Sequence, residues 1–184
     1  MTSLVIGSLS FLTLTSNILL TLFLLLWLSA RFWKPAAGIF DKIKRYLVKR
    51  SLYFAFIVAL TATSGSLYFS EGAGFEPCKL CWFQRIFMYP QLILLGTAII
   101  KKAKDVTKYI LPLSTIGGFI ALYHYIMQIS PDPLAPCSTI GFSVSCSERF
   151  FTYFGYITIP WMAFSAFLLI SLFVLQANKA KNEG

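Results

Sequence analysis

Four cysteines carry the chemistry that this sequence of 184 residues can support, and they form two pairs of different spacing. Cys78 and Cys81 form a CxxC motif, whereas eight residues separate Cys137 from Cys146. A thiolate is the species that attacks a disulfide, and a CxxC motif closes a short disulfide that exchanges readily. The two pairs therefore predict a thiol–disulfide oxidoreductase. Two structural disulfides that hold the loops in place are the alternative.

The CxxC motif stands at the head of an apolar segment, where a helix is expected to begin. The positive end of the helix dipole would stabilise a thiolate at Cys81, and Arg85, one turn further on, would lie on the same face. An ionisable side chain inside a membrane segment is a candidate functional residue. The guanidinium group could also donate a hydrogen bond to a carbonyl oxygen of an electron acceptor.

His124 is the only histidine, and Gln128 follows it by one helical turn. Both residues are expected near the outer end of the fourth apolar segment, at the depth of Cys81 and Arg85. The alternative is a core histidine whose ring is hydrogen-bonded by a neighbour.

Two other kinds of site fit the sequence less well. Structural zinc usually has two close-spaced pairs of ligands, and the second cysteine pair is too widely spaced for that, so no metal is expected. A transporter or channel would need charges near the middle of its spans, and apart from Arg85 and His124 the apolar segments have none.

The elements that must position these residues are membrane-spanning helices. The chain is 57% hydrophobic and 12% charged, with a mean hydropathy of +0.72, far more apolar than a soluble domain. Five segments approach or exceed the ~20 apolar residues that cross a bilayer as a helix. They are Leu4 to Leu28, Leu52 to Phe69, Cys81 to Ile100, Tyr109 to Ile129 and Phe150 to Leu175. The predicted fold class is all-α integral membrane, a four-helix transmembrane bundle plus one extra N-terminal transmembrane helix.

The distribution of positive charge predicts the orientation of these helices. Thirteen of the sixteen lysines and arginines follow the first or third segment or lie in the C-terminal tail. Because cytoplasmic loops are enriched in these residues, the N-terminus and the loops 70–80 and 130–149 are expected outside and the C-terminus in the cytoplasm. All four cysteines then lie on the extracytoplasmic side, where disulfides persist. The net charge of +9 needs no nucleic-acid partner.

The chain is expected to be a single membrane domain with four parts. Residues 1–30 form the extra span, which lacks the positive start of a signal peptide and is expected to be retained. Residues 31–50 form a basic cytoplasmic linker, either an amphipathic helix on the membrane surface, with Trp33 and Phe40 on its apolar side, or a plain connection. Residues 51–176 form the four-span redox bundle, and residues 177–184 a cytoplasmic tail.

Several motifs together resemble the disulfide bond formation protein B family (DsbB), especially its BdbC-like branch with a short second cysteine spacing. They are the run from Cys78 to Arg85 (CKLCWFQR), Met88-Tyr89-Pro90, Tyr123-His124-Tyr125 with Gln128, the pair Cys137 and Cys146, and Ile159-Pro160. The resemblance extends over about residues 51–175, and the extra N-terminal span departs from it. Vitamin K epoxide reductase-like proteins do related chemistry, but their spaced cysteine pair precedes the CxxC motif.

The resemblance implies a function and a role for each site residue. A DsbB-like protein reoxidises an extracytoplasmic thioredoxin-like partner of the DsbA type and passes the electrons to ubiquinone or menaquinone in the bacterial inner membrane, which supports disulfide formation in exported proteins. Cys137 would form the mixed disulfide with the partner, Cys146 would attack Cys78, and Cys81 would face the quinone. Arg85 and His124, with Gln128, would lie near the quinone ring.

Overall fold

The computed structural model describes residues 2–32, 34–103, 105–130 and 145–182. Its helices are α1 (Thr2–Ala30), α2 (Lys34–Leu67), α3 (Lys79–Lys101), α4 (Thr107–Ile129) and α5 (Ile159–Asn182), and a π-helical turn (Tyr68–Gly72) follows α2 directly. Each contains a stretch long and apolar enough to cross a membrane, and the described residues form no β-sheet. The predicted all-α membrane fold is therefore confirmed. Cys137 lies outside the described residues.

Helices α2 to α5 form a closed ring. Helix α2 packs against α3 and α5, and α4 also packs against α3 and α5. Leu95, Ile110 and Phe167 are among the apolar side chains buried at its centre. Gly117 of α4 lets the ring of Phe167 approach the helix, since a Cβ atom there would overlap the phenyl ring. Because α1 packs on the outside of α2 and α5, the structure agrees with a four-helix bundle plus one extra helix.

Three contacts fix α1 antiparallel to α2. The hydroxyl groups of Thr2 and Tyr68 are 3.5 Å apart at one end, and the rings of Phe23 and Phe40 are 5.3 Å apart at the other. Between them, a Cβ atom on Gly65 would lie 3.0 Å from Leu9 Cδ1. The glycine therefore allows the two helices to come close together.

The linker predicted at residues 31–50 is mostly helical, but it is not a separate surface helix. Helix α2 runs without a break from Lys34 to Leu67 and so joins the linker to the second span. Phe40 contacts Phe23 of α1, which accounts for an apolar residue in this basic stretch. Trp33 lies outside the described residues.

The fifth helix begins later than the apolar run that predicted it. Helix α5 begins at Ile159 rather than Phe150, because the preceding residues form a turn. Tyr153 and Ile157 exchange two backbone hydrogen bonds of 2.9 Å around Phe154 and Gly155, which have positive φ angles of 52° and 79°. At its other end the helix continues to Asn182, into the stretch expected to be a tail.

Candidate functional site: a dithiol between an outer segment and an apolar cavity

The CxxC motif is built around the first turn of α3. Cys78 is the N-cap residue, and its Sγ atom accepts a hydrogen bond from the backbone N–H of Cys81 at 3.4 Å. The two sulfur atoms are 3.3 Å apart, and both residues are free thiols. The short loop thus places the two sulfurs side by side, as disulfide formation between them requires.

The hydrogen bonds that would stabilise a thiolate converge on Cys78. The Cys81 sulfur lies 3.3 Å from Cys78 Sγ and His124 Nε2 lies 3.6 Å from it, so both side chains are within hydrogen-bond distance. Together with the backbone N–H of Cys81 they outweigh burial and lower the pKa of Cys78 from 9.0 to about 4. From the sequence, we expect the helix dipole to stabilise a thiolate at Cys81. In the structure, the sulfur of Cys78, the N-cap residue, accepts the backbone hydrogen bond at this helix end.

His124 contacts both redox segments. Its ring is 2% exposed, with Nε2 3.0 Å from the backbone oxygen of Cys146 and 3.6 Å from Cys78 Sγ. Because a carbonyl oxygen can only accept, Nε2 carries a proton. Nδ1 lies 2.8 Å from Nε2 of Gln84, whose amide group can donate to it. The ring thus connects α3, α4 and the segment that contains Cys146.

The segment 145–149 packs over the dithiol. Cys146 is 1% exposed, is disulfide-bonded, and shares a buried cluster with Cys78 and Met127. Gln128 holds this segment to the end of α4 through two hydrogen bonds. Its side-chain Nε2 atom donates to the Glu148 backbone carbonyl at 2.8 Å, and its backbone carbonyl accepts from Arg149 Nε at 2.7 Å. A second nitrogen of the guanidinium, Nη2, donates to the same carbonyl.

An apolar cavity of about 250 Å³ lies on the other side of the dithiol. Cys81, Gln84 and Arg85 line it from α3, and Ser66 from α2. Most of the remaining wall is apolar, but Glu76 and Tyr89 also line it, together with several serine and threonine side chains. The cavity thus combines a thiol, an amide, a guanidinium and a carboxylate with a largely apolar wall.

Arg85 is held by α2 rather than by Cys81. Its Nε atom donates to Ser66 Oγ and its Nη2 atom to the Ser66 carbonyl, both at 3.1 Å. The guanidinium carbon also lies 5.2 Å from the centre of the Trp82 ring, a cation–π contact. These contacts fix a positive charge at the cavity wall.

The structure divides the predicted site residues into two groups. Cys78, His124, Gln128 and Cys146 lie on the side of the outer segment, whereas Cys81 and Arg85 line the cavity. His124 and Gln128 were expected beside the electron acceptor, but neither lines the cavity among the described residues.

Sequence reasoning missed Gln84 and Ser66. Gln84 follows Cys81 by three residues and so shares its helix face, a signal that could have identified it. Nothing in the sequence marks Ser66, which lies on another helix.

The sulfurs of Cys78 and Cys81 and a ring nitrogen of His124 lie within 4.8 Å of one another, a spacing that could hold a soft metal ion. However, the Nε2 proton is bonded to the Cys146 carbonyl, and a metal would have to displace it. The arrangement found here favours thiol exchange over metal ligation.

Comparison with known proteins identifies the family. The family model described as "Disulfide bond formation protein DsbB" matches residues 48–177, which include all four cysteines. The chain belongs to the DsbB family. No solved structure gives a significant match.

Curated relatives of this DsbB-family chain carry the same description. Disulfide bond formation protein C of Bacillus subtilis is 45% identical over 134 residues, which are 72% of this chain and 95% of the relative. Probable disulfide formation protein C 1 of Bacillus anthracis is 43% identical over 131 residues, 70% of this chain and 94% of the relative. A probable disulfide formation protein of Coxiella burnetii is 42% identical over 136 residues, 73% of this chain and 92% of the relative.

Helix α1 lies outside the family match, which begins at residue 48. The alignment leaves 5% of the Bacillus subtilis relative unmatched, too little for a helix of 29 residues. Helix α1 is therefore a feature that this chain has and that relative lacks.

Proposed function

We propose that this membrane oxidoreductase reoxidises an extracytoplasmic thioredoxin-like dithiol protein of the DsbA type and passes two electrons to a membrane quinone. The net reaction converts a reduced partner and a quinone into an oxidised partner and a quinol. One observation carries the proposal: the CxxC motif connects the second cysteine segment with the apolar cavity. Both of its thiols pack in the cluster that contains Cys146, and Cys81 also lines the cavity.

The proposed relay is a series of disulfide exchanges in which every step breaks one S–S bond and forms another. A partner thiolate attacks Cys137 of a Cys137–Cys146 disulfide and releases the Cys146 thiolate. The partner's second thiol then resolves the mixed disulfide and leaves oxidised. Cys146 attacks Cys78 of a Cys78–Cys81 disulfide and displaces the Cys81 thiolate, and Cys137 resolves the new bond. The two electrons now reside on the Cys78–Cys81 dithiol.

The residues of the cavity fit a quinone. Its apolar walls suit a flat ring with a hydrocarbon tail, and the fixed guanidinium of Arg85 can donate to a carbonyl oxygen of that ring. A bound quinone would supply an acceptor of two electrons and two protons. Cys78 and Cys81 then return to the disulfide, because their sulfurs already lie side by side.

His124 and Gln128 act on the exchange between the two cysteine pairs. The imidazole N–H stabilises negative charge at Cys78 and holds the Cys146 backbone beside it. Gln128 and Arg149 keep the outer segment against α4. In this proposal both are positioning residues for thiol exchange.

The distribution of lysine and arginine supports a definite orientation in the bacterial inner membrane. The basic ends of α2 and α3 would face the cytoplasm, with the C-terminus on the same side. The CxxC motif and the segment 145–149 would then face the exported proteins whose disulfides the partner forms.

Purified protein in detergent, mixed with a reduced thioredoxin-like dithiol protein and a soluble quinone, tests the proposal. We expect catalytic loss of quinone absorbance with wild type and none with Cys81→Ser. Thr97→Ala is the matched control, because its exposed hydroxyl bonds only the backbone of its own helix. No turnover with several partners and quinones, while all four cysteines stay stably bridged, would instead indicate a membrane protein with structural disulfides.

A further inference from the structure

Helix α1 contributes a wall of the cavity beside the dithiol. Leu9, Leu12, Thr13 and Ser16 all line it. Their spacing of three and four residues places them on one face of the helix. Ser10, next to this face, is fully buried. Ile6 and Ser10 are the described residues of α1 that the bundle buries, and Leu12, at the far edge of the cavity face, is 52% exposed.

Because these residues line the cavity, we propose that α1 binds the hydrocarbon tail of the quinone. A chain that consists of the four-helix bundle alone would lack this binding surface. The inference rests on the quinone-reducing function proposed above. Helix α1 packs against both α2 and α5, and both of these helices line the cavity. Without α1, the cavity would open toward lipid along this side.

The register of α1 assigns a head end and a tail end to the wall. Leu9 packs on Gly65, the neighbour of Ser66, which holds Arg85. Leu9 therefore lies at the level of the charged end of the cavity. Because the two helices are antiparallel, Leu12, Thr13 and Ser16 follow toward the inner end, opposite Thr61, Val58 and Ile57 of the same cavity.

The inner part of the wall suits a hydrocarbon chain better than a polar ligand. The Thr13 hydroxyl donates to the Leu9 carbonyl at 2.8 Å, and the Ser16 hydroxyl donates to the Thr13 carbonyl at 2.8 Å. Both hydroxyl groups thus donate within α1 rather than into the cavity, and the small side chains leave room for the tail. These two residues therefore present mainly apolar atoms to the cavity.

Kinetics with two quinones that share a ring test the inference, one with an isoprenoid tail and one without. In the full chain, Leu12→Trp should fill the tail end and raise the KM for the tailed quinone about tenfold, with little change in kcat or in the KM for the tail-less quinone. Leu19→Trp is the matched control, since Leu12 and Leu19 are similarly exposed, at 52% and 61%, but only Leu12 lines the cavity. It should behave like wild type with both quinones.

Equal KM values for Leu12→Trp and Leu19→Trp with the tailed quinone would overturn the inference while leaving the proposed function intact. Failure of wild type to reduce either quinone would instead overturn the proposed function. If Leu12→Trp does not fold, labelling of wild type by a quinone with a photoreactive tail decides. Label on α1 between Leu9 and Ser16 supports the wall, and label confined to α2, α3 and α5 contradicts it.

Discussion

His124 Nε2 lies 3.6 Å from Cys78 Sγ and 3.0 Å from the backbone oxygen of Cys146. One ring nitrogen therefore contacts both cysteine segments. In the proposed relay this places the imidazole at the exchange between the two pairs, away from the cavity.

His124→Ala should slow oxidation of the partner about tenfold or more, because a hydrogen bond to a charged group contributes ~1.5–3 kcal/mol. The KM for quinone should not change, since His124 does not line the cavity. His124→Gln, whose amide can replace the Nε2–H donor, should recover part of the rate. A change confined to the KM for quinone would place the histidine at the acceptor instead.

Cys78 should remain a thiolate well below the usual titration range of a cysteine. Hydrogen bonds from the Cys81 side chain, His124 and the Cys81 backbone N–H lower its pKa from 9.0. The S–H stretching band in the infrared spectrum measures this in a variant that retains Cys78 alone, with serine at the other three cysteines. Serine at position 81 keeps a hydroxyl donor. Adding His124→Ala should move the titration to higher pH, and a midpoint near 9 without that change would contradict the prediction.

Arg85→Lys should raise the KM for quinone several-fold while leaving the KM for the partner unchanged. Lysine keeps the charge, but a single ammonium group cannot reproduce the two-atom fork to Ser66. Ser66→Ala, which removes one of the two bonds, should have a smaller effect in the same direction. Thr97→Ala, whose exposed hydroxyl bonds only the backbone of its own helix, is the control. Equal effects of all three variants would argue against a guanidinium-specific contact.

Gln128→Glu should loosen the segment 145–149, because a carboxylate cannot donate to the Glu148 carbonyl. A neutral hydrogen bond stabilises a structure by about 1 kcal/mol, so its loss from the held segment should slow oxidation of the partner about fivefold. Trypsin should also cleave after Arg149 faster than in wild type. Ser147→Ala in the same segment is exposed and serves as control. Unchanged cleavage in Gln128→Glu would show that this clamp does not hold the segment.

Gly117→Ala should destabilise the bundle by about 1–3 kcal/mol, because the added Cβ overlaps the buried ring of Phe167. Gly118→Ala makes the matched comparison on the next residue, where a Cβ would meet Phe167 at an ordinary 3.5 Å. Thermal unfolding in detergent should show a lower Tm for Gly117→Ala only. Equal values for the two variants would mean that the bundle can move the phenyl ring at little cost.

Hydropathy predicted five spans because the length of an apolar run is set by the thickness of the bilayer. It placed the ends less well, for two different reasons. Backbone hydrogen bonding continues past charged residues, so α2 includes the basic stretch that was expected to be a linker. The turn before α5 is set by local geometry at Phe154 and Gly155, which an apolar run does not reveal.

Position along the predicted spans also placed His124 at the depth of Cys81 and Arg85, but it did not predict which way these side chains would face. Position along a helix gave the depth of His124, whereas its direction depends on the rotation of α4 against α3 and on the outer segment. The same holds for Arg85, whose partner Ser66 is nineteen residues away on another helix. Contacts between helices follow from packing that a single sequence does not display.

Burial of Cys78, which is 4% exposed, limits which reductants can reach its sulfur. An open CxxC motif would equilibrate with any small thiol in the surrounding medium, and its redox state would follow that pool. Here the Cys78 sulfur is covered by the segment 145–149 and by the bundle. In the proposed relay, electrons enter through a protein docked at that segment, so bulk reductants are excluded from Cys78 by access rather than by potential.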